Sequence, residues 1–205
     1  MKTRQEIKSI AKEIVRTRYG QALLPGLLLT LISAAAAAVI VGPILVIPLS
    51  VGAALVYIRL WNGENTDIGT MFTSAFNENY LRKLGAMLLV GLYTWLWSLL
   101  LIVPGIIKGL SYSMTRYILA KHPNVTAQDA IRLSMRMTDG HKMELFVLEL
   151  SFIGWQLLGG LTFGLLTLFY VEPYMEVTHA GYFEELEAEC LREGRVDASE
   201  LDPIA

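Results

Sequence analysis

Hydrophobic positions along the chain fall into long blocks separated by short polar stretches. Between Arg18 and Arg59 there is no charged residue. A helix needs about 20 apolar residues to cross roughly 30 Å of hydrocarbon, so this run is long enough for two crossings. Gly42-Pro43 divides it, because proline suits the first turn of a helix and not its interior. Further apolar blocks are broken at Pro104-Gly105 and at Gly159-Gly160. One helix from Met143 to Tyr174 would be about 48 Å long, more than a bilayer core, and is therefore split in two. The pattern predicts an all-α integral membrane bundle of about six spans in three hairpins. The spans are placed at 21–41, 43–61, 84–103, 106–121, 143–159 and 163–186.

Between the apolar blocks the period changes. Residues 1–20 read as an amphipathic interfacial helix, with Ile7, Ile10, Ala11, Ile14 and Val15 on one face and lysines and arginines on the other. Two partners suit such a helix, the base of the bundle or an anionic inner leaflet. The 62–83 stretch carries a short interfacial helix after Asn62-Gly63. Thr126 and Asp129 resemble a capping box that opens another amphipathic helix, with Gly140 as its C-terminal cap. Residues 187–205 form an acidic tail, expected to be disordered at its end.

Composition agrees with a membrane setting. Hydrophobic residues make up 54% and charged residues 18%, against about 25% charged in soluble domains. Mean hydropathy is +0.46. The net charge of −2 gives no reason to expect nucleic acid as a partner. A lone cysteine, Cys190, forbids an intramolecular disulfide. The basic start followed by Leu23–Ser33 and Ala34–Ala38 superficially resembles a cleaved signal. The long basic region and the unbroken apolar continuation favour an uncleaved first span.

Orientation follows from lysine and arginine bias. With the N terminus inside, both termini and the 62–83 and 121–142 loops are cytoplasmic, and Lys108 is the exception among the 17 basic residues. The expected location is a bacterial inner membrane, crossed several times.

Candidate chemistry is sparse. His122, His141 and His179 lack metal-ligand spacing, and there is no phosphate loop, paired-cysteine motif or nucleophile elbow. No enzyme activity, cofactor or metal is expected. The informative residues are ionisable groups inside predicted spans: Lys108, Arg116, Glu149, Glu172 and Glu176. Such groups are costly in lipid and face a bundle interior. Counted from the outer turns, Arg116 lies about 18 Å deep, Glu149 about 15 Å, Glu172 about 14 Å, Glu176 about 20 Å and Lys108 only about 6 Å. They form either structural ion pairs or the lining of a polar cavity for a solute, ion or lipid. Lys108 can snorkel outward or reach inward to a carboxylate.

The stretches WSLLLIVPGIIKGLSYSMTRYILA (97–120) and SMRMTDGHKMELFVLELSFIGW (134–155) resemble a bacterial membrane family, the domain of unknown function numbered nine hundred and seventy-five. Pro173-Tyr174 and Tyr182–Leu186 also look like it, although the order Tyr182-Phe183 reverses the expected one. The resemblance implies a multi-pass bacterial membrane protein and no activity. Two roles follow as expectations. One is binding or passage of a small ligand through the midplane cluster. The other is an accessory scaffold that holds a protein partner, or a second copy, through its cytoplasmic helices and tail.

Overall fold

The computed structural model describes residues 1–36, 42–77, 79–100 and 102–202, and every regular element among them is helical. In chain order these are α1 (Arg4–Thr17), α2 (Tyr19–Ala36), α3 (Gly42–Trp61), α4 (Ile68–Ala75), α5 (Tyr80–Leu100), α6 (Ile102–Tyr112), α7 (Thr115–Lys121), α8 (Ala127–Met137), α9 (Lys142–Leu161), α10 (Glu172–Arg192) and α11 (Ala198–Leu201). A π-helical stretch, Thr167–Val171, leads directly into α10. The expected end of the first span at residue 41 lies outside the described residues.

α3 is the hub. It packs against α2, α4, α5, α7 and α10. Val51, Ala53, Ala54, Val56, Tyr57, Ile58 and Leu60 are all buried, as expected of a helix that is apolar on every side. α1 keeps its predicted stripe: Ile7, Ala11 and Val15 are buried, mainly against α10. Thr3 and Glu6 close a reciprocal cap at its start. The apolar face of α1 thus covers the bundle, and its basic residues Arg4, Lys12 and Arg16 remain exposed.

Three expectations change. First, the helix expected at 106–121 is two helices. Pro104 and Gly105 lie in the first turn of α6, and the break comes at Ser113-Met114. There the Ser111 carbonyl accepts a hydrogen bond from the Ser134 hydroxyl of α8 at 2.8 Å. A side chain inserted into the ladder interrupts it. Second, Gly159-Gly160 lies inside α9, and the turn is Thr162–Gly164, where Phe163 and Gly164 have φ of 52° and 83°. Gly159 instead allows close approach, because a Cβ there would sit 1.8 Å from Thr167 Oγ1. Third, the 187–205 tail is folded through residue 202. α10 continues to Arg192, and Cys190, Val196 and Leu201 are buried. Asp197 and Glu200 cap α11, and Arg136 holds Glu200 at 2.7 Å. The very end of the tail, residues 203–205, where disorder is expected, lies outside the described residues.

By length and composition, three described helices can cross a membrane: Tyr19–Ala36, Ile44–Trp61 and Lys142–Leu161. The other expected spans are interrupted or charged. α6 and α7 have 11 and 7 residues, each too short alone. α5 opens on Arg82 and Lys83, and α10 carries Glu172, Glu176, Glu184 and Glu185.

Candidate functional site

The predicted charges divide into a paired centre and two outliers. Arg116 stands in the first turn of α7, and Glu176 one turn into α10. One guanidinium nitrogen of Arg116 donates to both Glu176 oxygens, at 2.9 and 3.1 Å, and to the Tyr117 hydroxyl at 2.6 Å. The Tyr117 hydroxyl donates to Glu176 at 3.5 Å. Its ring stacks on Phe183, with centroids 5.5 Å apart. The break at Ser113-Met114 starts α7 immediately before Arg116. The discontinuity missed in the sequence therefore lies beside this pair.

Glu149, on α9, lies 2.9 Å from His179 Nε2 on α10. The imidazole Nε2 makes no aligned hydrogen bond there. Glu172 lies one turn before Glu176. It and the buried Tyr57 hydroxyl both lie beside Gly26, where a Cβ would be 3.4 Å from the Glu172 carboxyl carbon and 3.2 Å from the Tyr57 oxygen. The Tyr57 hydroxyl has no hydrogen-bond partner among the described residues. Lys108 does not join the group. Its ammonium sits 5.2 Å from the Trp97 ring centre, a cation–π contact within the α5–α6 hairpin.

A second cluster at the polar end was not foreseen. Lys121 Nζ donates to Glu184 and to Glu187, each at 2.7 Å, and His122 Nε2 lies 2.9 Å from Glu187. Burial opposes ionisation of Glu187, but the hydrogen bond from His122 and the charge of Lys121 hold its pKa below the ordinary 4.5. Arg82 donates to the carbonyls of Leu119, His122 and Val125, satisfying the otherwise unpaired end of α7. The signal was available. A helix ending at His122-Pro123 leaves carbonyls without donors, and Arg82 was an unassigned donor. Lys83 is also buried, bonded to Asn77 and to the Ser74 carbonyl.

The remaining singular residues have packing roles. Lys8 crosses from α1 to donate to Ser151 at 2.9 Å, with Phe152 beneath it at 4.2 Å. Burial raises the Cys190 pKa, which keeps the thiol inert. Among the described residues no group of three or more histidine, cysteine, aspartate or glutamate side chains is placed to hold a metal. Of five pockets described on the protein, none is lined by Arg116 or Glu176. The widest pair, about 720 Å³ each, lie at the polar end, one between α8 and α11, the other between the N terminus and α9.

No curated protein and no solved structure matches the chain. Residues 99–189 match the family model described as "Protein of unknown function (DUF975)". That stretch runs from the end of α5 through α10 and contains Arg116, Glu149, Glu172, Glu176 and the Lys121–Glu187 cluster. The segment that carries the paired charges is thus the part of the chain that is similar to that family.

Proposed function

We propose that the chain is a non-catalytic scaffold or assembly protein, multi-pass in a bacterial inner membrane, with both termini cytoplasmic. One observation carries the choice of scaffold over carrier: Arg116 is engaged by Glu176 and Tyr117 within the protein itself. A guanidinium held this way ties α7 to α10, with its Nη2 group already taken by partners within the protein. Support for the membrane setting comes from large apolar side chains left bare, including Leu88, Trp95 and Leu99 on α5 and Leu157 and Leu161 on α9. A soluble monomer rarely exposes so much contiguous apolar surface. The working surface is then the folded polar end, where the groove between α8 and α11 presents Arg132, Arg136, Asp129 and Asp139. A partner would meet this folded face and not a loose tail.

The test is reconstitution beside affinity capture. The scaffold reading expects stoichiometric co-purification of a partner from gently solubilised membranes. It also expects no ion, proton or lipid movement in liposomes holding the purified protein. A flux abolished by Arg116→Gln in a folded protein would overturn it in favour of a second reading, passage of a small solute, ion or lipid. That second reading is favoured by the Tyr57 and Thr115 hydroxyls, buried near the cluster without partners, since unsatisfied buried groups mark sites where water or an ion can enter.

A further inference from the structure

A proline inside a helix leaves one carbonyl without its usual donor, because the residue four places on has no amide hydrogen. At two such gaps a tyrosine hydroxyl takes the donor's place. Pro48 lies inside α3, so the Ile44 carbonyl receives no bond from the amide four places on. Pro173 lies at the start of α10, so it gives none to the Phe169 carbonyl in the π-helical stretch. The Tyr80 hydroxyl donates to the Ile44 oxygen, and the Tyr19 hydroxyl to the Phe169 oxygen, each at 2.7 Å.

Neither donor is a neighbour in sequence. Tyr80 is 36 residues from Ile44, and Tyr19 is 150 residues from Phe169. Each tyrosine is the first residue of its own helix, Tyr19 of α2 and Tyr80 of α5. Helical side chains lean toward the N terminus, so a long side chain at that position reaches past its own helix to another element. Tyrosine suits the task, since its rigid ring supplies reach and its hydroxyl supplies one donor. The Tyr80 ring is steadied by a stack on Phe76, with centroids 5.8 Å apart.

We propose that Tyr80 and Tyr19 are latches on two proline breaks, each hydroxyl standing in for the amide that proline lacks. The Tyr80 latch fastens the first turn of α3 to α5. The Tyr19 latch fastens the π-helical stretch to α2. The second bears on the paired centre, because Glu172 adjoins Pro173 and Glu176 stands one turn further. Opening a latch leaves a carbonyl unanswered, which is costly wherever water is scarce and most of all in hydrocarbon. The device goes beyond the scaffold and carrier readings and depends on neither.

The test is a double-mutant cycle of thermal unfolding, with the full chain in detergent. Tyr80→Phe removes one oxygen and keeps the ring. It should lower the midpoint by about 3 °C, the scale of one hydrogen bond in a chain of this length. Pro48→Ala restores an amide that can answer Ile44, so in that background Tyr80→Phe should change the midpoint very little. An equal fall in both backgrounds would overturn the proposal, because the hydroxyl would then serve something other than the missing amide. An unchanged midpoint for Tyr80→Phe in the parent chain would overturn it as well. Tyr19→Phe with Pro173→Ala makes the second cycle, and each latch stands or falls on its own. Should a proline variant fail to fold, the tyrosine variant alone still decides: no fall in its midpoint removes that latch.

Discussion

The two ends of α9 and its hairpin partner differ in a way that hydrophobicity alone does not predict. Near the polar end, Leu145, Leu148 and Phe152 of α9 and Val177, Ala180 and Phe183 of α10 are buried. Near the turn, Leu157, Leu161, Phe163 and Leu165 are exposed, Phe163 completely. The more continuously apolar part of the hairpin is the less covered part. In water that arrangement is unfavourable at about 25 cal/mol for every Å² of apolar surface left bare. In hydrocarbon it costs nothing, because lipid is as apolar as leucine. The two ends are packed to different degrees, and the charged pairs stand on the packed side of the divide.

This contrast can be broken at chosen residues. The largest effect is expected at the paired centre. Arg116→Gln leaves Glu176 partly buried without its cation and should destabilise the protein by about 3 kcal/mol. Replacing both residues with methionine should recover most of that loss, as a double-mutant cycle of unfolding in detergent would show. Next comes Gly181→Ala. The added carbon would sit 2.4 Å from the Trp61 ring, and crowding of this kind costs about 1–3 kcal/mol. Its thermal midpoint should fall clearly below that of the parent.

A smaller effect, confined to acid, belongs to Glu187. Its pKa is below 4.5 in the folded chain, so it contributes stability above 4.5 that is lost as pH falls toward the folded value. Glu187→Gln should therefore flatten the acid limb of the stability–pH curve relative to the parent. An unchanged slope would mean that Lys121 and His122 do not hold the carboxylate in solution. The smallest effect lies on the exposed side. Gly154→Ala meets nothing within 4 Å, and should change stability by less than about 0.5 kcal/mol. A loss as large as that of Gly181→Ala would show that the apolar face is packed against something after all.

Local chemistry was legible wherever it depends on neighbours in sequence. Thr126 accepts from the Asp129 amide at 3.2 Å, and Gly63 and Gly140 take positive φ at the helix ends where they were expected. The stripe of α1 was visible from its spacing, but its partner was not, because α10 is remote in the chain. The break in the 106–121 stretch was hidden for the same reason: its cause is a hydroxyl on α8. Of the candidate residues, Arg116 and Glu176 come together, Glu149 finds a histidine, Glu172 lies beside Gly26, and Lys108 stays with Trp97. Depth along a span could place the first four near one level. It could not say which carboxylate faces the arginine, since that depends on helix rotation, and the π-helical stretch before Glu172 alters the rotation.

The contact between α1 and α10 also has a consequence in time. A ribosome makes α1 long before α10, so the stripe at Ile7, Ala11 and Val15 lacks its main cover while the intervening helices are being made. During that interval the nascent amphipathic helix has the composition of a membrane-surface segment, cationic on one side and oily on the other. Completion of α10 then offers it a better place, secured by Lys2 on Glu185 and by the Met1 amine on Glu189 at 3.2 Å. α1 is thus made well before the helix that covers it, and a chain stalled before α10 would leave its apolar stripe without that cover.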